Sequence, residues 1–277
     1  MWPKRHKGQK DATRPLTMAR RSQPKTTIES VERTFEVIHE LEDGSGKTLT
    51  EISDSLDIPK SSIHRHLSTL QELGAVALED GQYYLGLEFL RLGTLARYRH
   101  DAQGTIKDGI RFIAQETDER AQYMVWEHDA VIYLYRELGN RAVSTDTKTG
   151  KWMPVHATSG GKLLLAYLPS EEREQYFASQ ELERYTENTI TDLDELREQL
   201  QIVRHQRYCI NDQEYIDGLR AISVPVRNTT NEVIGAIGVS GPRNRLRDTR
   251  LREELPNLLM GVANEIELKF EYQAQNG

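Results

Sequence analysis

Three short stretches of this chain hold residue types that can do chemistry. Lys60-Ser61-Ser62-Ile63-His64-Arg65-His66 sets cations, hydroxyls and imidazoles around a helical turn. These are hydrogen-bond donors suited to phosphate oxygens and nucleobase edges. Ser159-Gly160-Gly161 precedes an apolar run that begins at Lys162. Small residues opening a helix let its backbone N–H groups approach an anion. The Ser240 hydroxyl in Gly238-Val239-Ser240-Gly241 adds a donor.

No catalytic motif forms around them. A phosphate-binding loop of the GxxxxGK[ST] type would need glycine at His156 and a hydroxyl at Leu163. Gly241 follows Ser240 directly, which breaks the G-x-S-x-G nucleophile elbow. His156, His205 and Cys209 match no zinc spacing. We therefore expect no catalytic residues, no metal and no cofactor. One cysteine cannot form an internal disulfide.

The elements that must position the first stretch are legible around it. Ile28, Val31, Phe35, Ile38 and Leu41 form an apolar stripe at helical spacing, stopped by Gly44-Ser45-Gly46. Thr48 and Glu51 make a capping box for a short helix with Leu49, Ile52 and Leu56 inward. Asp57-Ile58 turn the chain, and Pro59 stands as the first residue of a second helix, with Ile63, Leu67 and Leu70 inward and Gly74 as its stop. Two β-prone runs around Asp80-Gly81 then predict a hairpin. Helix, turn, helix and hairpin in this order give a winged helix-turn-helix over residues 27–86, with Gln82 and Tyr83 on the wing. Leu87, Leu90, Leu95 and Tyr98 mark a linker helix within residues 87–103, open to either self-packing or a dimer contact.

Residues 104–274 read as a separate α+β domain. Helices are predicted over 105–116, 162–167, 191–206 and 248–270, with another opened by Ser170. Strands are predicted over 122–127, 131–137, 220–226 and 232–240, with a loop over 147–161.

Composition agrees with two domains. The chain has 277 residues, net charge −7 and 37% hydrophobic content. The charge is uneven: 15 basic against 14 acidic residues in the first hundred, 21 against 29 in the remainder. Residues 1–26 carry eight Lys or Arg against Asp11 alone and read as a basic disordered tail. No apolar run follows the basic start, so a cytoplasmic protein with no membrane partner is expected.

The residues also match a known pattern. Ile28–Arg33, Leu56–Leu67, Leu73–Val76, Met153–Ala166, Thr186–Thr191, Pro225-Val226 and Ile237–Pro242 occur in the order and spacing of the IclR family. The chain resembles that family over residues 27–272. The resemblance implies a winged helix-turn-helix, a linker helix and a GAF-like effector-binding domain. It further implies a transcriptional regulator that binds operator DNA as a homodimer or homotetramer, modulated by a small metabolite, often a carboxylate. Lys60, Ser61, Ser62, His64, Arg65 and His66, with Gln82 and Tyr83 of the wing, are then DNA-binding candidates. Ser159, Gly160, Gly161, Asn211, Ala221, Gly238 and Ser240 are effector-binding candidates. Asn211, Ala221 and Gly238 depart from the acid, cysteine and serine common there. An enzyme, or a protein-interaction module, with an attached helix-turn-helix is the alternative reading.

Overall fold

The computed structural model describes residues 27–101, 104–143 and 149–276. The expected basic tail, residues 1–26, lies outside them. The chain divides into two compact units, with the boundary between residues 103 and 104.

The first unit is a winged helix-turn-helix. Helix α1 (Glu29–His39) leads to α2 (Leu49–Leu56) and α3 (Lys60–Glu72). The Thr48 hydroxyl accepts the Glu51 amide at 3.3 Å, and the Thr48 amide donates to the Glu51 carboxylate at 2.8 Å. This reciprocal box starts α2 at Leu49. Asp57 turns the chain through a left-handed conformation, φ 53°. Pro59 is the N-cap of α3 rather than its first helical residue. At the far end Gly74 adopts φ 70°, and the Ala75 amide donates to the Leu70 carbonyl at 2.8 Å, the Schellman closure. The wing is β1 (Val76–Glu79) paired with β2 (Gln82–Leu85) around Asp80-Gly81, both at positive φ.

Val37, Ile38, Leu41, Ile52, Ile63, Leu67 and Leu70 form the core of this unit. The expected inward stripe on α1 is only half right. Ile38 and Leu41 are buried, but Ile28, Val31 and Phe35 are at least half exposed. Val37, not on that stripe, is fully buried. Helix α4 (Glu88–Tyr98) buries no residue, and Leu87, Leu90, Leu92, Leu95 and Tyr98 are exposed.

The second unit is a six-stranded, wholly antiparallel sheet in the order β5-β4-β3-β8-β7-β6. Its strands are β3 (Arg120–Glu127), β4 (Ala130–Leu138), β5 (Trp152–Met153), β6 (Cys209–Asp212), β7 (Leu219–Arg227) and β8 (Val233–Pro242). Strands β5 and β6 sit at the edges and were not anticipated; each is too short to show a period. On one face α5 (Thr105–Thr117) and α9 (Leu255–Asn276) cover Ala121, Tyr123, Val125, Ile222, Val224 and Val239. On the other, α6 (Ser159–Tyr167), α7 (Ser170–Ser179) and α8 (Leu193–Gln206) contribute to a core with Met124, Val131, Tyr133, Met153 and Ala236. The predicted single closing helix instead opens with one π turn, Arg250–Glu254. Pro256 has no N–H to give the preceding turn, which accounts for the slip in register.

Leu67 is fully buried at the centre of the first unit. Leu67→Ala should cost about 2–5 kcal/mol. Urea unfolding followed by circular dichroism checks this, as a lower midpoint for the helix-turn-helix transition.

Candidate functional site

Two constellations stand out, one in each unit. The first is the free face of α3. Lys60, Ser61, His64 and Arg65 are exposed, and Ser62 is half-buried. No acid lies in the first turn of α3, so the positive end of its dipole is uncompensated. Neither Lys60 nor Arg65 joins an ion pair among the described residues. His66 is turned away from this group: its Nδ1 lies 2.9 Å from the Thr34 hydroxyl of α1 and ties the two helices. On the wing, Gln82 accepts a hydrogen bond from the Tyr84 hydroxyl at 2.9 Å. Tyr83 packs partly against the core, and its backbone pairs with Lys47.

The second constellation is a pocket between the sheet and the start of α6. Side chains on one face of a sheet alternate along each strand, so registered positions form rows across it. One row runs Arg120, Ser240, Ala221, Asn211 over β3, β8, β7 and β6. The next runs Arg136, Gln122, Gly238, Ser223, Cys209 over β4, β3, β8, β7 and β6. Arg120, Gln122, Met124, Tyr133, Met153, Ala157, Thr158, Ser159, Gly160, Asn211, Tyr215, Ile216, Leu219, Ala221 and Ser240 line a cavity of about 30 Å³. Five of the seven sequence candidates are therefore in the lining. Gly161 and Gly238 are not, and both allow close packing. A Cβ on Gly161 would meet the Val155 carbonyl at 2.2 Å, and one on Gly238 the Ser223 hydroxyl at 2.5 Å.

Helix α6 begins three residues earlier than the sequence reading placed it. Thr158 is its N-cap and accepts the Gly161 amide at 3.2 Å. The Ser159 and Gly160 amides belong to the first turn, where no intrahelical acceptor exists. The Ser159 hydroxyl lies 2.8 Å from that of Ser223. Ser223 thus supplies, from the neighbouring strand, a hydroxyl beside the position where Gly238 has none. Asn211 donates to the Ala157 carbonyl at 2.6 Å and so holds β6 to the start of α6.

The residues missed by sequence reading are the cationic ones. The Arg120 Nε donates to the Ser240 hydroxyl at 2.8 Å. Burial holds its pKa below the usual arginine value, and the nearby Arg136 charge adds to that. Arg120 and Gln122 had a faint signal: they are alternate polar positions at the start of an otherwise apolar strand.

Behind the pocket, Lys162 places its ammonium 2.6 Å from both Glu214 oxygens, both side chains almost fully buried. Burial raises the Glu214 pKa, and Lys162 opposes the rise. Cys209 is buried and its thiol is pushed up to about 12 by desolvation, which leaves it protonated and inert at neutral pH. His156 is buried against the Glu183 carbonyl at 2.9 Å, whereas His205 is exposed on α8. Among the described residues no three His, Cys, Asp or Glu side chains gather to hold a metal ion.

A winged helix-turn-helix with an exposed basic face on its second helix, joined to an α+β domain with a polar internal cavity, has the architecture of a ligand-sensing transcriptional regulator. Comparison with known proteins agrees. Residues 30–80 match the IclR helix-turn-helix domain, and residues 99–268 match the bacterial transcriptional regulator IclR C-terminal domain. The chain belongs to the IclR family. It is 34% identical over 250 residues to the Halobacterium salinarum protein named "Probable HTH-type transcriptional regulator ArcR", covering 88% of this chain and 94% of that one. It is 29% identical over 248 residues to the Escherichia coli regulator KdgR, covering 89% and 94%. Among solved structures, an IclR homologue from Microbacterium hydrocarbonoxydans complexed with 4-hydroxybenzoate matches with TM-score 0.76 and 25% identity, over 88% of this chain and 99% of that one. The IclR transcriptional regulator of Alicyclobacillus acidocaldarius matches with TM-score 0.73 at 25% identity, with the same coverage. The chain is thus a DNA-binding transcriptional regulator with a C-terminal effector domain. No described helix is long and apolar enough to cross a membrane.

The Lys162–Glu214 pair yields a test of the pocket's foundation. Lys162→Met should cost about 3–5 kcal/mol, because it strands a buried carboxylate. Burial raises the folded-state pKa of Glu214 above its unfolded value, so the native state holds that proton more tightly. The stability of the variant should therefore rise as pH falls from 8 to 5, and Glu214→Gln added to it should restore much of the loss at pH 8. Urea titrations at both pH values read these changes.

Proposed function

We propose that α3 enters the major groove of operator DNA and that Lys60, Ser61, Ser62, His64 and Arg65 face it, with His66 bracing the helix against α1 and Gln82 and Tyr83 near the flanking backbone. The observation that carries this reading is the exposed face of α3, with Lys60 at an acid-free N-terminus and Arg65 further along, neither in an ion pair among the described residues. Arg65 reads a base or clamps the backbone; a bidentate fork to guanine contributes about 1–3 kcal/mol of discrimination.

The protein works as a homodimer or homotetramer on an inverted repeat. Exposed apolar residues on α1 and α4 support this assembly: Ile28, Val31 and Phe35 on one, Leu90, Leu92 and Leu95 on the other. Half-sites then lie about one helical turn apart. The pocket of the second unit takes a small carboxylate, which meets the Ser159 and Gly160 amides, with Asn211, Ala221 and Ser240 around it. The cavity must widen to admit it, and the neighbour complexed with 4-hydroxybenzoate supports a small acid as the class of ligand. The linker over residues 87–103 carries the effect to the DNA-binding unit as a coupling of about 1–3 kcal/mol. The protein acts in the cytoplasm, as a regulator and not as an enzyme.

Footprinting on the DNA upstream of its own gene should show a palindromic protected site. Affinity for it should fall steeply with salt. Arg65→Ala should abolish specific protection, with an unchanged circular dichroism spectrum; undiminished affinity in a gel-shift titration would refute the assignment. Small carboxylates should raise the melting temperature of the whole protein, because a ligand of the native state stabilises it.

A further inference from the structure

A second recess lies on the outside of the effector unit, where the tip of the β6–β7 connection meets the segment that follows β8. Gly218, Arg220, Arg243, Asn244, Arg247 and Asp248 line this open groove, whose volume is about 590 Å³. Its walls are fixed. The Arg243 amide donates to the Gly218 carbonyl at 2.8 Å and ties the two segments together. Arg220 stands between them: its Nε donates to Asp212 at 2.7 Å, and its Nη1 to Asp248 at 2.7 Å and to the Leu246 carbonyl at 3.2 Å. Leu246 is fully buried. Arg245 turns inward and forks onto the buried Glu119 carboxylate, 2.6 Å to each oxygen. Arg243 and Arg247, two residues to either side of it, are exposed.

Three guanidinium groups and one carboxylate line the groove. Arg220 is already matched by Asp212 and Asp248. The Arg243 charge helps to hold Asp212 below the usual carboxylate range, behind the larger effect of Arg220. Arg247 spends its Nε on the Asn244 carbonyl at 3.1 Å. Neither Arg243 nor Arg247 joins an ion pair among the described residues. With Asp212 counted in, cations still exceed acids in and around the groove. The chain beyond residue 100 is otherwise acidic, 21 basic residues against 29. A basic groove in an acidic field suits a small anion, because the same field repels a long polyanion such as DNA. A phosphate monoester brings close to two charges and three acceptor oxygens, and two guanidiniums match it better than they match one carboxylate. The Asn244 amide and the exposed Asp248 carboxylate can take the hydroxyls of an organic part. The β6–β7 connection also lines the internal cavity: Gly218 is in the groove, and Tyr215, Ile216 and Leu219 are in the cavity wall.

We propose that this groove is a second ligand site, separate from the carboxylate pocket, and that it takes a small phosphorylated metabolite whose phosphate is held by Arg243 and Arg247. Arg220 positions the groove through its two carboxylates and is not itself the anion ligand. A ligand there rests on the outer side of the connection whose inner side closes the cavity.

Isothermal titration of the full-length protein at low salt, where exposed charges are least screened, tests it with two matched sets: glucose 6-phosphate against glucuronate and glucose, and glycerol 3-phosphate against glycerate and glycerol. In at least one set the phosphate ester should bind about tenfold more tightly than the carboxylate on the same skeleton, with the neutral compound silent. Arg243→Gln combined with Arg247→Gln should weaken the ester by about tenfold or more. Arg252→Gln, exposed outside the groove, should leave it unchanged. Backbone hydrogen exchange over residues 213–219 and 243–248 should slow when the ester is added to the wild type, and not in the double variant. Equal binding of ester and carboxylate in both sets, or no binding by either ester, overturns the proposal and leaves the internal carboxylate pocket standing; neither result needs a variant to fold. Ester binding that survives in the double variant overturns the assignment to this groove, and a loss of operator affinity in that same variant would make the groove a DNA contact instead.

Discussion

The sheet of the effector unit is covered by helices on both faces, and that constraint organises the rest of the unit. A strand buried on both sides cannot send its polar positions to water. The face under α5 and α9 meets the constraint with apolar side chains. The face under α6 meets it differently, because Arg120, Gln122, Asn211, Ser223 and Ser240 point there. Their partners come from the same face or from the start of α6: Ser240 for Arg120, Ser159 for Ser223, the Ala157 carbonyl for Asn211.

Small residues set how close α6 comes. A Cβ on Gly160 would meet the Met124 sulfur at 2.4 Å, so a side chain there would displace Met124. Gly161 and Gly238 are less tolerant still, because a Cβ there would meet backbone carbonyls, Val155 at 2.2 Å and Ile222 at 2.7 Å. The first turn of α6 is thereby pressed against the sheet with its amides inward, and Lys162, one residue further, reaches the carboxylate of Glu214. A single helix start thus presents amide donors on one side and anchors the β6–β7 connection on the other.

Much of this was legible in the sequence, and the failures follow a pattern. The capping box at Thr48 and Glu51, the Gly74 stop and the Asp80-Gly81 hairpin are local signals, and local chemistry decided them. The α1 stripe misled because periodicity reports an apolar face without saying what covers it. Val31 and Phe35 have the right spacing yet lie in solvent in the single chain. The site was legible where small residues break an apolar run, at Ser159-Gly160 and Ser240. Arg120, Arg136 and Tyr133 were not, because their meeting depends on the register between β3 and β4, with its irregularity at Tyr123/Met124. The short edge strands β5 and β6 exist only as partners of longer neighbours.

The row Arg120, Ser240, Ala221, Asn211 has one member from each of four strands. Each faces the cavity, and none is a member of the apolar core beneath. Arg120, Ser240 and Asn211 are tied by hydrogen bonds to neighbouring elements, so a nucleotide change at the Ala221 codon alters what the cavity presents at the least cost to the contacts that hold the strands. In such a scaffold the lining of the cavity can change at a position that carries no tie between strands while the fold is kept, so ligand preference and stability need not change together.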